Sequence, residues 1–142
     1  MSFYKDEESF KQYLKSISLK LENEPLKELE EILDNYFRGE PVSLDYPLDI
    51  SGTDFQVRVW KAVREIPYGQ VRSYKWVAER IGNPKAARPV GTAISRNPVV
   101  LFIPCHRVIR SDGSLGRYGG MDWLKGKLLR LEKAEIILGK HQ

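Results

Sequence analysis

The stretch SYKWVAERIGNPKAARPVGTAIS, residues 73–95, decides how the chain is read. Ser73 stands where a helix needs a side-chain oxygen for its orphan N–H groups, and Trp76, Val77 and Ile81 then recur on one face. Gly82-Asn83-Pro84 closes that helix over Tyr74 to Arg80. A second helix is predicted over about Ala86 to Ser95, with Pro89 in its first turn, where a missing N–H costs nothing. Two short helices joined by a tight glycine-containing turn make a helix-turn-helix. The second opens with small residues and Arg88, which suits close approach to DNA.

On the N-terminal side, Gly52-Thr53-Asp54-Phe55-Gln56 carries a capping box, Thr53 with Gln56. Phe55, Val59 and Val63 follow on one face with Trp60 beside them, until Ile66-Pro67 stops the helix. Tyr68-Gly69-Gln70 reads as a turn. Further back, Leu26, Leu29, Ile32, Leu33, Tyr36 and Phe37 recur at helical spacing between Pro25 and Arg38, and Gly39 is placed to end that helix. Glu40 to Ser51, with Pro41 and Pro47, is a connecting segment. On the C-terminal side, the apolar run Val99 to Ile103 predicts a buried strand or extended segment. A loop through Ser111-Asp112-Gly113-Ser114 and Gly116-Arg117-Tyr118-Gly119-Gly120 leads to a last helix, Asp122 to about Ala134, with Leu124, Leu128 and Leu131 inward. The class is α+β. Residues 1–50 are read as a structural unit with its connector, and residues 51–142 as a mainly helical domain.

Charge divides the chain at the same place. The net charge is +4, but residues 1–50 carry 6 basic and 12 acidic side chains, and residues 51–142 carry 17 and 7. A basic module draws a polyanion by counterion release, although a merely soluble basic surface would look the same. No apolar run reaches membrane-span length, and the acidic start MSFYKDEESF lacks a signal-peptide core. The expected location is the cytoplasm, at the nucleoid.

The single cysteine, Cys105, excludes an internal disulfide and a multi-cysteine zinc site. A lone cysteine often serves as a small buried hydrophobe. Here His106 adjoins it, and a nucleophilic thiol needs a base. Adjacent side chains diverge, so a bridging water is the expected proton path between them. The imidazole then needs an acceptor on its other nitrogen. Of the seven acids in the basic part, Glu132, between Leu131 and Lys133 on the last helix, is preferred; a solvated helix carboxylate is the competing reading.

Pro104-Cys105-His106-Arg107-Val108 resembles the active-site motif of the O6-alkylguanine-DNA alkyltransferases. Tyr68 to Tyr74, Gly82 to Arg88 with Val90-Gly91, Asn97-Pro98, and Gly116 with Tyr118-Gly119-Gly120 resemble further segments of that family, in its order, over about residues 52–134. The resemblance implies that Cys105 takes an alkyl group from the O6 of guanine, and from O4-alkylthymine as well, once per molecule. His106 would remove the thiol proton through water, with Glu132 orienting it. Asn97 would hold the segments around the cysteine, and Tyr74 would offer its hydroxyl to the flipped guanine. Val108 and Gly119 would present backbone groups to the base, and Tyr118 would line the pocket. Arg88 would fill the gap left by base flipping. Ser73, Ala86, Ala87, Gly91 and Arg96 complete the expected DNA face, set in the minor groove. The implied partner is double-stranded DNA containing O6-alkylguanine, bound by a monomer, with cooperative binding left open. No cofactor and no metal are expected, since the cysteines of the family's zinc site are missing.

Three positions depart from the family pattern. Pro89 stands where many relatives carry a non-proline residue and biases Arg88 toward an extended backbone; Val100 replaces a proline of some members; Gly119 replaces a serine of some relatives. The first 50 residues match weakly, and there the resemblance implies a small α/β domain packed on the active part. Two other readings compete: a protein that binds alkylated DNA without repairing it, against which Cys105 argues, and a cysteine hydrolase, whose chemistry could not release a thioether.

Overall fold

The computed structural model describes residues 26–42, 50–98, 101–116 and 122–134. Most of the expected N-terminal domain, Val99, Val100, Tyr118 and Gly119 lie outside them. Among the described residues, five α-helices and one two-stranded sheet make a mixed α/β arrangement: α1 (Leu26–Phe37), α2 (Asp54–Arg64), β1 (Arg72–Ser73), α3 (Tyr74–Arg80), α4 (Ala87–Ser95), a 3-10 turn (Cys105–Arg107), β2 (Val108–Ile109) and α5 (Asp122–Leu131).

The helix ends follow local chemistry. Thr53 and Gln56 form the expected capping box on α2, and the Ser73 hydroxyl accepts from the Trp76 N–H at 2.9 Å to cap α3. Gly82, at φ +82°, ends α3, and the Asn83 N–H returns to the Ala78 carbonyl at 2.9 Å. This is the left-handed closure for which glycine is suited, and it turns the chain sharply into α4. Pro89 is the third residue of α4, and the Val90 N–H still reaches the Ala86 carbonyl at 2.9 Å. Arg88 is therefore helical. The steric bias toward an extended backbone is overridden by the helix's own bonds and packing, of which a first-turn proline removes none.

The core joins every described helix. Leu33 and Tyr36 of α1, Val59, Trp60 and Val63 of α2, Val77 and Ala78 of α3, Val90, Ala93 and Ile94 of α4, and Leu124 and Leu128 of α5 belong to one buried cluster. Each such aliphatic side chain contributes about 1.5–3 kcal/mol through burial. Trp60 also donates its indole N–H to the Ala93 carbonyl at 2.9 Å, tying α2 to α4.

The apolar run before the cysteine is buried as expected, but its described part is not a strand. Leu101 and Phe102 form a turn, with Leu101 at φ +76° and fully buried. That left-handed backbone is unfavourable for leucine and is held there by packing. The turn delivers Pro104 into the 3-10 turn. Parallel pairing of Arg72 with Val108 and Ser73 with Ile109 then sets the start of α3 beside the residues that follow Cys105.

Candidate active site

Three elements converge on Cys105. The 3-10 turn presents its thiol, which is 2% exposed. The turn after α4 brings Asn97, whose side-chain N–H groups donate to Cys105 Sγ at 2.9 Å and to the Ile103 carbonyl at 2.8 Å. The thiol faces the Ile94 carbonyl of α4 at 3.7 Å. Burial pushes the Cys105 pKa up to about 12, against smaller lowering influences from the Asn97 hydrogen bond and the Lys125 charge. The resting sulfur is a thiol, so any reaction through it must remove a proton.

His106 is fully buried, and its Nε2 lies 2.7 Å from Glu132 Oε2. Since the carboxylate is the acceptor, that nitrogen carries hydrogen and Nδ1 is the basic one. Burial lowers the His106 pKa, with Arg107 and Lys125 adding to the effect and Glu132 opposing it. Glu132 is not the solvated helix carboxylate that was its competing reading: it is 2% exposed. It follows α5 where Lys133, at φ +57°, and the Ala134 N–H, bonded to the Leu129 carbonyl at 2.9 Å, terminate the helix. Burial would raise its pKa, but the hydrogen bond from His106 and the guanidinium of Arg107 outweigh burial and hold it well below the usual carboxylate range.

Arg107 adds a guanidinium to that hold. Its Nε donates to Glu132 Oε1 at 2.9 Å, Nη2 donates to Oε2 at 2.9 Å, and Nη1 donates to the Ile66 carbonyl at 2.7 Å. The two-pronged geometry is the strong form of an arginine–carboxylate pair. Two further groups reach the same carboxylate: the Tyr36 hydroxyl, donating to Oε2 at 2.6 Å, and the Gly69 N–H, donating to Oε1 at 3.3 Å.

Tyr74, at the start of α3, lies between α4 and the loop before α5. A Cβ built on Gly91 would lie 3.9 Å from its ring, and one on Gly116, at φ +77°, would stand 3.0 Å from its hydroxyl. Any side chain at Gly116 would therefore press on that hydroxyl. Lys125 of α5 is fully buried with its ammonium 5.7 Å from the Tyr74 ring centroid. Val108 is fully buried in β2. Arg88 and Arg96 are exposed, and Ala87 and Gly91 are partly so. An open cavity of about 480 Å³, lined by Thr53, Phe55, Gln56, Arg88, Pro89, Thr92 and Ala93, borders the arginine; Cys105 is not part of its wall.

Two residues read as part of the DNA face have buried side chains. Ser73 is fully buried with its hydroxyl engaged by the α3 cap, and Ala86 is 5% exposed within the core. A small or polar residue at a helix start serves a cap or tight packing as readily as a ligand, and here the interior won. Conversely, Tyr36, Arg107 and Lys125 carried no assigned role. The available signals were a tyrosine on the apolar face of α1, a cation adjoining the candidate histidine, and a cation beside inward-facing Leu124 on the last helix.

These features together define a buried cysteine–histidine–glutamate site behind a helix-turn-helix. The family model described as "6-O-methylguanine DNA methyltransferase, DNA binding domain" matches residues 54–134. The chain belongs to this family. It is 49% identical over 116 residues to the methylated-DNA–protein-cysteine methyltransferase of Mycobacterium leprae, which covers 82% of this chain and 70% of that protein. The crystal structure of Mycobacterium tuberculosis OGT in complex with DNA resembles it with a TM-score of 0.73 at 50% identity, over 76% of this chain and 67% of that one. The S. pombe Atl1 complex with damaged DNA containing O6-carboxymethylguanine gives a TM-score of 0.53 at 35% identity, over 62% of this chain and 83% of that one. The matched region spans 62% of the length of the Mycobacterium bovis relative and 72% of the Methanosarcina acetivorans one. Among the described residues, no helix is long and apolar enough to cross a membrane.

Proposed function

We propose that this chain repairs duplex DNA by moving the alkyl group of O6-alkylguanine onto Cys105, irreversibly and once per molecule. The observation that carries the reading is the buried His106–Glu132 pair at 2.7 Å, adjoining a lone thiol that Asn97 holds at 2.9 Å. In the proposed step, Sγ attacks the alkyl carbon, the carbon–O6 bond breaks and a thioether forms. The thiol proton passes through water to His106 Nδ1, and Glu132 holds the imidazolium that results. The departing guanine carries the electron pair, and the Tyr74 hydroxyl donates a hydrogen bond to it. The buried ammonium of Lys125 favours negative charge developing nearby.

The target base must leave the stack to be reached, at a cost of a few kcal/mol, and Arg88 fills the gap it leaves. Arg88 with Ala87, Gly91 and Arg96 forms the minor-groove face, with the cations on phosphates. Val108, Tyr118 and Gly119 complete the base pocket, and O4-alkylthymine is a second substrate. Residues 1–50 form the supporting unit for residues 51–142, and the protein works as a monomer without a cofactor.

The test is intact mass. Incubation of the full chain with an O6-methylguanine duplex should add one methyl, never two, on the peptide bearing Cys105, and Cys105→Ala should add none. Repair by Cys105→Ala, or many turnovers per chain, would sink the reading. Likeness to the Atl1 complex favours a second reading, binding without transfer. Tight binding to the lesion with no mass change would select it.

A further inference from the structure

Tyr36 lies outside the segment matched by the family model, on the described helix farthest in sequence from Glu132. Even so, it is fully buried and its hydroxyl donates to Glu132 Oε2 at 2.6 Å, across 96 residues. That oxygen is the one that meets His106 Nε2 at 2.7 Å. Resting on the alkyl-transfer reading above, we propose that Tyr36 is a positioning residue of the site, its hydroxyl holding Glu132 Oε2 in place and setting how strongly that oxygen attracts the His106 proton.

The ring alone does not account for this tyrosine. It packs edge-on against Phe37, centroids 5.2 Å apart, and against Tyr68 at 6.1 Å. A phenylalanine would keep both contacts, whereas a buried hydroxyl is costly unless bonded. Here it is bonded to the most heavily engaged carboxylate of the described residues. Glu132 accepts from Tyr36, His106, Arg107 and Gly69, five donor contacts on two oxygens with about four lone-pair directions. Donors on one oxygen compete for its charge. Removing the Tyr36 hydroxyl leaves more charge on Oε2, which favours the protonated imidazole and raises the His106 pKa. Neutral His106 is the base, so the acid limb of the transfer rate should move upward. Among the described residues, the titratable and charged groups facing the pair are Tyr36 from α1, Tyr68 from the turn after α2, Cys105 and Arg107 from the 3-10 turn, and Lys125 from α5. Tyr36→Phe changes only the first.

The experiment compares full-length wild type, Tyr36→Phe and Leu33→Ala. Leu33 is fully buried on the same helix and belongs to the core cluster, so its truncation loosens α1 without touching the carboxylate. Single-turnover methyl transfer from an O6-methylguanine duplex is followed against pH. Tyr36→Phe should slow transfer roughly tenfold near neutrality, the scale of one charge-assisted hydrogen bond, with the one-methyl end point retained. Its acid limb should rise by about half a pH unit or more. Leu33→Ala should lower Tm and leave the limb in place. An unmoved limb in Tyr36→Phe, or an equal movement in Leu33→Ala, overturns the inference.

The imidazole ¹⁵N titration of His106, without DNA, separates this from the functional reading; the chain's second histidine, His141, is removed by His141→Gln for assignment. If wild type transfers no methyl, the function fails, but a raised His106 titration in Tyr36→Phe still supports the positioning role and an unchanged one refutes it. Wild type alone gives a further check: the Tyr36 hydroxyl proton should be a slowly exchanging, downfield resonance, and its absence refutes the bond whether or not Tyr36→Phe folds.

Discussion

Glu132→Gln separates a buried ion pair from a surface one by magnitude. The substitution keeps shape and removes charge. Five donor contacts then converge on an amide with a single acceptor oxygen, and the amide's own NH₂ faces the remaining donors. Arg107, 4% exposed, loses its counter-charge, while its bond to the Ile66 carbonyl remains. Breaking such a pair from one side costs about 3–5 kcal/mol, because the surviving charge stays buried. The stranded donors are part of that figure, not an addition to it. For a chain of this size about 4 kcal/mol lowers Tm by roughly 10–15 °C. The control is Glu65→Gln. Glu65 meets Arg80 at 2.7 Å, a separation as short as that between Glu132 and His106, but the two side chains are 47% and 54% exposed. Solvent screening limits that pair to about 1 kcal/mol or less. Thermal and urea unfolding by circular dichroism at pH 7.5 measures both variants. Equal shifts for the two, or a fall under about 3 °C for Glu132→Gln, would mean that the Glu132 network is not formed, and the account of the site would go with it.

Three further outcomes follow from the same geometry. With the Cys105 pKa pushed up to about 12, iodoacetamide should label the native thiol far more slowly at pH 8 than it labels the urea-unfolded chain, with the native rate still rising above pH 10; equal rates at pH 8 would show an open or ionised thiol. His106 is held below its ordinary 6.5, so the unfolded chain takes up its proton first as pH falls. Its stabilising effect is complete above 6.5 and is lost as pH drops from there toward its folded pKa, and the urea midpoint should decline between pH 7 and 5, a decline that His106→Gln should flatten. A methyl on Cys105 must enter a site where the sulfur is 2% exposed and already meets Asn97 and the Ile94 carbonyl. Overpacking of about 1–3 kcal/mol should lower the Tm of the alkylated chain, and an unchanged or higher Tm would show that the site has room.

The helix-turn-helix was legible because its signals are local. Thr53 with Gln56, Ser73, Gly82 and a first-turn Pro89 each act within four residues, and the chain obeys them. The run ending at Ile103 misled because burial and strand look alike in a short apolar stretch; a turn with Leu101 in a left-handed conformation satisfies burial too. Ser73 and Ala86 misled for a related reason, since caps and close packing favour the same small residues that a ligand face does. The hub around Glu132 was legible in part. His106 and Glu132 could be paired by counting acids, but Arg107 and Tyr36 reach that carboxylate across 25 and 96 residues. No periodicity encodes such a meeting; only the packing that brings Tyr36 of α1, the 3-10 turn and the end of α5 together creates it.

Helix α4 links the two ends of the proposed reaction. Arg88 lies in its first turn, and the Ile94 carbonyl near its other end meets the thiol at 3.7 Å. Six residues of helix separate them, about 9 Å along the axis. Val90, Ala93 and Ile94 fix the helix in the core, and Trp60 bonds the Ala93 carbonyl, so it moves as one body with the sulfur's surroundings. An arginine entering the stack on this helix therefore arrives at a set distance from the acceptor, whatever the sequence of the DNA. The same rigidity works in reverse. A sulfur that gains a methyl pushes first on Asn97 and the Ile94 carbonyl, the C-terminal end of the helix that carries Arg88. Strain created by the transfer is thus delivered to the element proposed to grip DNA. The alkylated chain should bind undamaged duplex more weakly than the free-thiol chain, and equal affinities at fixed salt would break the link.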